Sequence, residues 1–248
     1  GEYIVSGRGE LHLSVFIETL RREGYELRVG KPQVVTRVID GVEMEPVEEL
    51  TINVPGEYVG TVTGEVGRRR GVLMARAQTA DGSDRLVFEL TTRGLIGLRS
   101  QLLALSRGTA VMNSLFLRHD PIGAPLPRLR NGVLIAAETG KAVTYGLENA
   151  QRRGTTFIPP QTPVYQGMIV GIAPREQDLA INVAKEKKQT NIRSSTADIA
   201  VNLTPPTVLS LEQSLDFLEE DELLEVTPKN LRLRKRILDP DERARLRR

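Results

Sequence analysis

The order in which hydrophobic periodicities change between residues 45 and 119 constrains the fold more than any other feature of this sequence. Leu50, Ile52 and Val54 alternate with polar residues, which indicates a half-buried strand. There follow a helical pattern at 58–70, a hairpin with strands at 72–77 and 86–90, a second helical pattern at 95–105 and a strand at 111–117. The order βαββαβ predicts a split βαβ, or ferredoxin-like, unit.

The residues before this unit predict the end of another small α+β domain. Leu13, Phe16, Ile17 and Leu20 share one helical face within 9–24, and short strands are expected at 25–29 and 33–39. This block is too small to fold alone. Because the chain opens with Gly1 inside an apparently structured stretch, we expect it to be a fragment of a longer protein.

The residues after the proline-rich connector at 120–127 predict a mostly β domain. Strands are expected at 132–137, 142–145, 167–172, 179–183 and 198–203. Ser210 and Gln213 have capping-box spacing and open an acidic amphipathic helix. The predicted fold class is therefore multidomain α+β: the end of a small domain at 1–40, the ferredoxin-like domain at 41–125, and a mostly β domain at 126–248 with an acidic helix and a basic tail.

The composition excludes several classes of function. The chain has 248 residues, of which 40% are hydrophobic and 27% charged, as in soluble globular proteins. Without an apolar run of about 18 residues or a signal sequence, we expect a cytoplasmic protein with no membrane partner. Cysteine is absent and only His12 and His119 are present, which excludes thiol catalysis and leaves zinc without its usual ligands, so no metal site is predicted.

No recognisable catalytic constellation is present. Gly30-Lys31 and Gly140-Lys141 lack the earlier glycine and the following Ser or Thr of a phosphate-binding P-loop. There is no G-x-S-x-G motif, and adjacent carboxylates such as Glu219 and Glu220 lie in a charged helix. We therefore predict no catalytic residue, no cofactor and no enzyme activity for this chain, although an enzyme that uses carboxylates stays an alternative.

Charge is strongly segregated near the C-terminus. Residues 211–225 contain seven acidic and no basic residues, whereas 229–248 contain nine basic and three acidic ones. Such segregation suits a polyanion, unless the two segments form ion pairs with each other. In the strand expected at 231–237, the alternation places Arg232, Arg234 and Arg236 together on the outward face.

Three further basic clusters are candidate RNA-binding sites. Two of them follow predicted helices, where capping of the helix dipole is the alternative role: Arg68, Arg69 and Arg70, and Arg152 and Arg153. The third is a predicted loop with side chains that suit phosphate and ribose: Lys185, Lys187, Lys188, Thr190, Asn191, Arg193 and Ser194. Because this loop has no aromatic residue, we expect it to recognise RNA backbone and shape, unless it is a solvated loop.

Three glycines lie on one side of the first helix of the ferredoxin-like unit. Gly60, Gly64 and Gly67 each cost roughly 0.5 to 1 kcal/mol relative to alanine in a helix interior. Close packing of the helix on its sheet is one explanation. Close approach of an RNA or protein partner to the helix backbone is the other.

Several of these segments resemble known proteins. The stretches at 6–13 and 29–34 resemble the third domain of translational GTPases of the elongation factor G class, and Tyr58-Val59-Gly60 with residues 68–71 is similar to their fifth domain. The stretches at 93–99, 187–193 and 226–228 resemble the TypA/BipA family of ribosome-associated GTPases.

The resemblance implies the C-terminal part of such a GTPase: the end of domain III, domain V and a family-specific domain. It also implies GTP hydrolysis on the ribosome, with GTP and Mg²⁺ on a G domain outside this chain, and roles in stress adaptation and large-subunit assembly. The loop at 185–195 would reach large-subunit rRNA near the acceptor end of the A-site tRNA. We expect a monomer; a protein-interaction or oligomerisation module without direct RNA binding is the alternative.

Overall fold

The computed structural model describes residues 2–186 and 202–246 and divides the chain into two compact units. The first unit contains Gly1–Lys31 and Arg130–Arg248, and the second contains Pro32–Leu129. Both contain helices and antiparallel strands, so the predicted α+β class is confirmed. The division into 1–40, 41–125 and 126–248 stays a prediction, since the structure groups the first 31 residues with the C-terminal part.

The first half of the chain contributes elements to both units. The first unit begins with α1 (Glu10–Arg22) and β1 (Leu27–Val29). The second unit consists of β2 (Arg37–Ile39), β3 (Val42–Val54), a 3-10 turn at Gly56–Tyr58, α2 (Val59–Arg68), β4 (Val72–Gln78), β5 (Asp84–Thr91), α3 (Thr92–Leu95), α4 (Leu98–Leu105) and β6 (Val111–Pro121). From β3 to β6 this is the predicted βαββαβ order.

The second unit is an antiparallel sheet with helices on one face. β3 pairs with β5 on one edge and with β6 on the other, and β4 completes the sheet beside β5. The alternating residues Leu50, Ile52 and Phe88 are fully buried beneath α2 and α4. Strand β5 pairs with β3 only from Val47 onwards, whereas β6 follows β3 back to Met44. Strands β3 and β6 therefore extend past β4 and β5, and β2 pairs with the start of β3 there.

The first unit is completed by two larger sheets and a small strand pair. Its remaining elements are β7 (Val133–Ala136), β8 (Gly140–Lys141), α5 (Thr144–Gln151), β9 (Thr155–Thr156), β10 (Pro163–Val164), β11 (Ile169–Ile172), β12 (Leu179–Ile181), α6 (Leu211–Phe217), β13 (Glu222–Val226), β14 (Leu231–Lys235) and α7 (Pro240–Leu246). The sheets have the orders β1-β13-β14 and β12-β7-β11-β9, and β8 pairs with β10.

Two local predictions for this unit have definite outcomes. The capping box is confirmed, because Ser210 Oγ accepts from the Gln213 amide and the Gln213 side chain accepts from the Ser210 amide. The strand predicted at 142–145 is wrong, because α5 begins at Thr144. The strand predicted at 198–203 lies largely outside the described residues, and Asn202 and Leu203 are not in a strand.

No helix among the described residues is both long enough and apolar enough to cross a membrane.

Candidate nucleic-acid interface

The three consecutive arginines at the end of α2 occupy three different environments. Arg69 is buried: its Nε donates to Glu65 Oε1 at 2.9 Å, and its Nη1 donates to the carbonyl oxygens of Gly94 and Ile96. Arg68 is exposed and forms an ion pair with Glu65 at 3.2 Å. Arg70 is exposed and has the left-handed backbone angle φ of 64°. The predicted cluster therefore presents Arg68 and Arg70 to solvent, while Arg69 connects α2 to the 94–96 segment.

The three glycines of α2 face solvent. A Cβ atom added at Gly60, Gly64 or Gly67 would meet no heavy atom within 4 Å. Close packing of the helix on the sheet therefore does not explain these glycines, and the approach of an RNA or protein partner stays a prediction. Gly71 is different, because its Cβ would lie 2.3 Å from Val66 Cγ1. Arg70, not Gly71, adopts the left-handed angle that ends the helix.

Two exposed lysines lie on neighbouring backbone segments of the first unit. Lys185 follows β12, and Lys141 belongs to β8. The segments touch where a Cβ at Gly140 would lie 3.0 Å from that of Ala184, and the Val143 amide donates to the Val183 carbonyl at 2.9 Å. Neither ammonium group has an ion pair among the described side chains. The structure thus adds Lys141 to the predicted Lys185.

Arg152 and Arg153 follow the last residue of α5, and both are exposed. Arg152 forms an ion pair with Glu148 one turn earlier at 2.7 Å, with 71% of its side chain exposed. The backbone of the next residue, Gly154, lies close to that of Ile172, because a Cβ atom at Gly154 would lie 2.1 Å from the Ile172 carbonyl oxygen. That contact fixes the backbone directly after the two arginines.

The outward row of arginines predicted at 231–237 is wrong for its central member. Arg234 is 7% exposed, and its Nε lies 3.2 Å from Glu225 Oε1. Arg232 is half-buried, and only Arg236 is exposed. The physical reason is that Arg234 lies against Glu225, a carboxylate that also accepts a hydrogen bond from Tyr165.

The segregated charges near the C-terminus partly neutralise each other. Lys235 is fully buried, and its ammonium group lies 2.9 Å from Asp178, 3.1 Å from Asp221 and 2.7 Å from Glu222. Burial alone lowers the pKa of Lys235, but the attraction of Glu222 and the hydrogen bonds of the cluster outweigh it and raise that pKa. Arg130 also pairs with Glu222. Much of this acidic segment therefore stabilises the fold.

The remaining predicted contacts are not located by the structure. Lys187, Lys188, Thr190, Asn191, Arg193 and Ser194 lie outside the described residues. Their assignment as RNA-binding residues stays a prediction. Within 2–186 and 202–246, no group of three or more His, Asp or Glu side chains is placed to hold a metal ion.

Sequence reasoning considered Lys141 only as part of an incomplete P-loop. The signal that could have identified it is the pair Gly140-Lys141 in a short strand, because glycine permits the close approach of a second chain segment. The identity of that segment, 183–185, depends on a contact between residues more than 40 positions apart. Sequence spacing does not encode it.

Comparison with known proteins gives two family matches that cover successive parts of the chain. Residues 131–240 match the model of the TypA/BipA C-terminal domain. Residues 42–128 match the model of the elongation factor G C-terminus. Neither match includes a G domain.

Individual relatives match over almost the whole chain. The large ribosomal subunit assembly factor BipA of Bacillus subtilis is 47% identical over 242 residues, which is 97% of this chain and 40% of that protein. The proteins of the same name from Synechocystis and Haemophilus influenzae are each 44% identical, over 94% and 98% of this chain. The chain spans about 40% of the length of these curated relatives.

Proposed function

Because the chain belongs to the TypA/BipA family, we propose that it forms the ribosome-binding C-terminal part of a translational GTPase that acts in large-subunit assembly. Its role is to place cationic side chains against the phosphates of large-subunit rRNA. Long-range attraction between cations and phosphates supplies most of the affinity of such contacts, and the rigid fold supplies their register.

The pair Lys141 and Lys185 is the observation that carries this proposal. Both lysines are exposed, and their backbone segments are joined by the hydrogen bond that the Val143 amide donates to the Val183 carbonyl. Lys185 also directly precedes, in sequence, the predicted RNA-binding residues at 187–194. Fixed cations next to a run of Lys, Arg, Asn and Thr suit an irregular RNA surface that is recognised by its phosphates and ribose hydroxyls.

The exposed arginines extend the proposed surface on each unit separately. On the first unit these are Arg152, Arg153 and Arg236; on the second they are Arg68 and Arg70. Arg69 and Arg234 are left out, because each is buried and already paired with a carboxylate. Half-buried Arg232 is a weaker candidate.

The finer functions implied by the family are proposals of the same kind. We propose that GTP and Mg²⁺ bind a G domain outside this chain, so that the chain contributes binding and positioning to GTP hydrolysis but no catalytic group. We also propose that the 185–195 segment reaches the acceptor end of the A-site tRNA, that the whole protein acts in stress adaptation, and that it works in the cytoplasm.

Co-sedimentation with purified large ribosomal subunits tests the central proposal. The test variant is Lys141→Ala with Lys185→Ala. Its matched control is Arg22→Ala with Lys229→Ala, which removes the same charge from exposed positions on or beside α1 and β14. We expect the test variant to bind more weakly and the control to bind like the parent chain. Equal binding of all three would contradict a role for the lysine pair.

One observation favours the second candidate, a protein-interaction or oligomerisation module. The eleven-residue strand β6 is at an edge of its sheet, and Val111, Leu115 and Leu117 are exposed along it. Exposed apolar edge strands can pair with another chain. Sedimentation equilibrium of the parent chain and of Leu115→Lys tests this: a dimer that Leu115→Lys dissociates would support pairing, and a monomer at all concentrations would exclude it.

A further inference from the structure

An open groove lies on the second unit where β3 and β6 extend past β4 and β5 and β2 pairs with β3. It has a volume of about 330 Å³ and is lined by Val35, Arg37, Pro46, Phe116 and His119. His119 pairs with Pro46 across the two strands, and Phe116 pairs with Glu48. The groove is thus formed by the sheet face that carries α2 and α4, at the end that these helices do not cover.

The aromatic rings in the groove leave a flat apolar surface open to solvent. Phe116 is 58% exposed, although the residues at the same face further along the sheet belong to the core. Its ring centroid lies 5.0 Å from that of His119, with the planes tilted by 56°. A ring that is supported from one side and open on the other is the arrangement on which a nucleobase stacks.

Among the residues that line the groove, Arg37 is a cation and none is a carboxylate. Arg37 is exposed and forms no ion pair among the described residues. Two neighbouring carboxylates are paired with cations, Glu45 with Arg93 and Asp120 with Arg118. Glu48 is turned to Thr92, which donates a hydrogen bond to it, and keeps its charge outside the groove lining. Glu43 accepts a hydrogen bond from Thr36 and is the cross-strand partner of Val38, so it lies on the face of the sheet away from Arg37. A guanidinium beside an open aromatic ring complements a base and its phosphate.

We propose that this groove binds one unstacked nucleobase of a single-stranded or looped RNA, with the base against Phe116 and His119 and Arg37 directed to the adjoining phosphate. The inference rests on the proposed function, because it assumes that the chain meets RNA. It adds a base-stacking site to an interface that the sequence predicted to consist of backbone contacts alone. An apolar peptide would also fill the groove, but it would leave the Arg37 charge without a partner.

The test uses the whole 248-residue chain and a twelve-nucleotide strand in which a central 2-aminopurine is the only base and every other position is abasic. A second strand is abasic at all positions, so that both carry the same phosphates. Stacking on an aromatic ring quenches 2-aminopurine fluorescence, and anisotropy of an end label gives the affinity. The variants are Phe116→Ala, the conservative Phe116→Tyr and the control Leu115→Ala, whose parent side chain is 69% exposed on the opposite face of β6.

We expect Phe116→Ala to weaken binding of the base-containing oligonucleotide by about 5- to 100-fold and to abolish the quenching. Phe116→Tyr and Leu115→Ala should bind like the parent chain. The abasic oligonucleotide should bind the parent chain and Phe116→Ala equally, because only phosphate contacts are left. Equal affinity of the parent chain and Phe116→Ala for both oligonucleotides would overturn the proposal. An apolar peptide that binds the parent chain but not Phe116→Ala, and that does not displace the RNA, would overturn it as well.

The failure of this inference is distinguishable from failure of the proposed function. If Phe116→Ala has no effect while the Lys141 and Lys185 double variant loses ribosome binding, only the groove is wrong. If neither change affects binding to any RNA, the assignment of the chain as an RNA-binding module fails as well. Thermal melting of Phe116→Ala by circular dichroism shows whether the variant is folded.

Discussion

The ammonium nitrogen of Lys235 lies 2.7 Å from Oε1 of Glu222, and neither side chain is exposed to solvent. Two buried charges of opposite sign stabilise each other, but removal of one partner leaves the other buried and unpaired. The cationic tail of the chain therefore has an internal structural role as well as an external surface.

Lys235→Met should lower the free energy of unfolding by about 3 to 5 kcal/mol, because Glu222 and Asp178 would be left beside an apolar side chain. Chemical denaturation monitored by circular dichroism measures this. The double variant Lys235→Met with Glu222→Gln removes one of the uncompensated charges and should recover part of the loss. If Lys235→Met alone is as stable as the parent chain, the Lys235 ammonium group does not stabilise the buried carboxylates.

The free energy of unfolding should fall at alkaline pH because the Tyr165 hydroxyl loses its proton. Burial and the hydrogen bond that its hydroxyl donates to Glu225 at 2.7 Å raise the pKa of Tyr165 above its ordinary value of 10.0. The raised pKa means that the protonated hydroxyl stabilises the folded state. This contribution is complete at pH values below the pKa of tyrosine in the unfolded chain, and it is lost as the pH rises from there through the pKa in the folded chain. Urea unfolding at pH 7, 9 and 11 should therefore show the parent chain losing its advantage over Tyr165→Phe above about pH 10.

A control separates this effect from general alkaline unfolding. Tyr25 is exposed, and Tyr25→Phe should follow the parent chain at every pH. If Tyr165→Phe and the parent chain differ by the same amount at pH 7 and pH 11, the Tyr165 hydroxyl does not contribute to the pH dependence.

Gly64→Ala should raise the free energy of unfolding by about 0.5 to 1 kcal/mol, because alanine costs less in a helix and its methyl group meets no neighbour within 4 Å. The same variant tests why the glycines of α2 are present. If a partner approaches the helix backbone, the more stable variant should bind large subunits more weakly. A variant that is less stable than the parent chain would contradict the exposed position of Gly64.

Arg69 and Arg70 should respond oppositely to substitution. Arg69→Ala should lower the free energy of unfolding by about 3 to 5 kcal/mol, because it leaves the buried Glu65 without its closest partner. Arg70→Gly should raise it by about 1 kcal/mol, because glycine adopts the positive φ of that position without strain. Thermal denaturation of both variants checks the contrast. If both substitutions change the stability equally, the assignment of Arg69 to the core and Arg70 to the surface is contradicted.

The ferredoxin-like unit could be predicted from sequence because its structure follows local periodicity. Leu50, Ile52 and Val54 alternate along a strand with one buried face, and Val62 and Val66 lie on the buried face of α2. Residues 142–145 were assigned wrongly because a short apolar run fits a strand and the start of a helix equally well. Only the packing of α5 distinguishes the two.

The surface could be predicted less well, because burial of a charged residue depends on partners distant in sequence. Lys235 is buried in the structure, and a buried lysine is acceptable only because Asp178 and Glu222 surround it. Arg234 is buried beside Glu225, a partner on the neighbouring strand β13. The Phe116 groove was missed because its rings lie on a strand that sequence reasoning treated as structural.

The salt dependence of binding to large ribosomal subunits tests the central claim most directly. Each lost phosphate contact should reduce the slope of log Kd against log salt concentration by about 0.7 to 0.9. Lys141→Ala with Lys185→Ala should therefore lower that slope by about 1.4 to 1.8 relative to the parent chain, while Arg22→Ala with Lys229→Ala leaves it unchanged. A slope that is identical in all three proteins would contradict the claim that these two lysines contact rRNA phosphates.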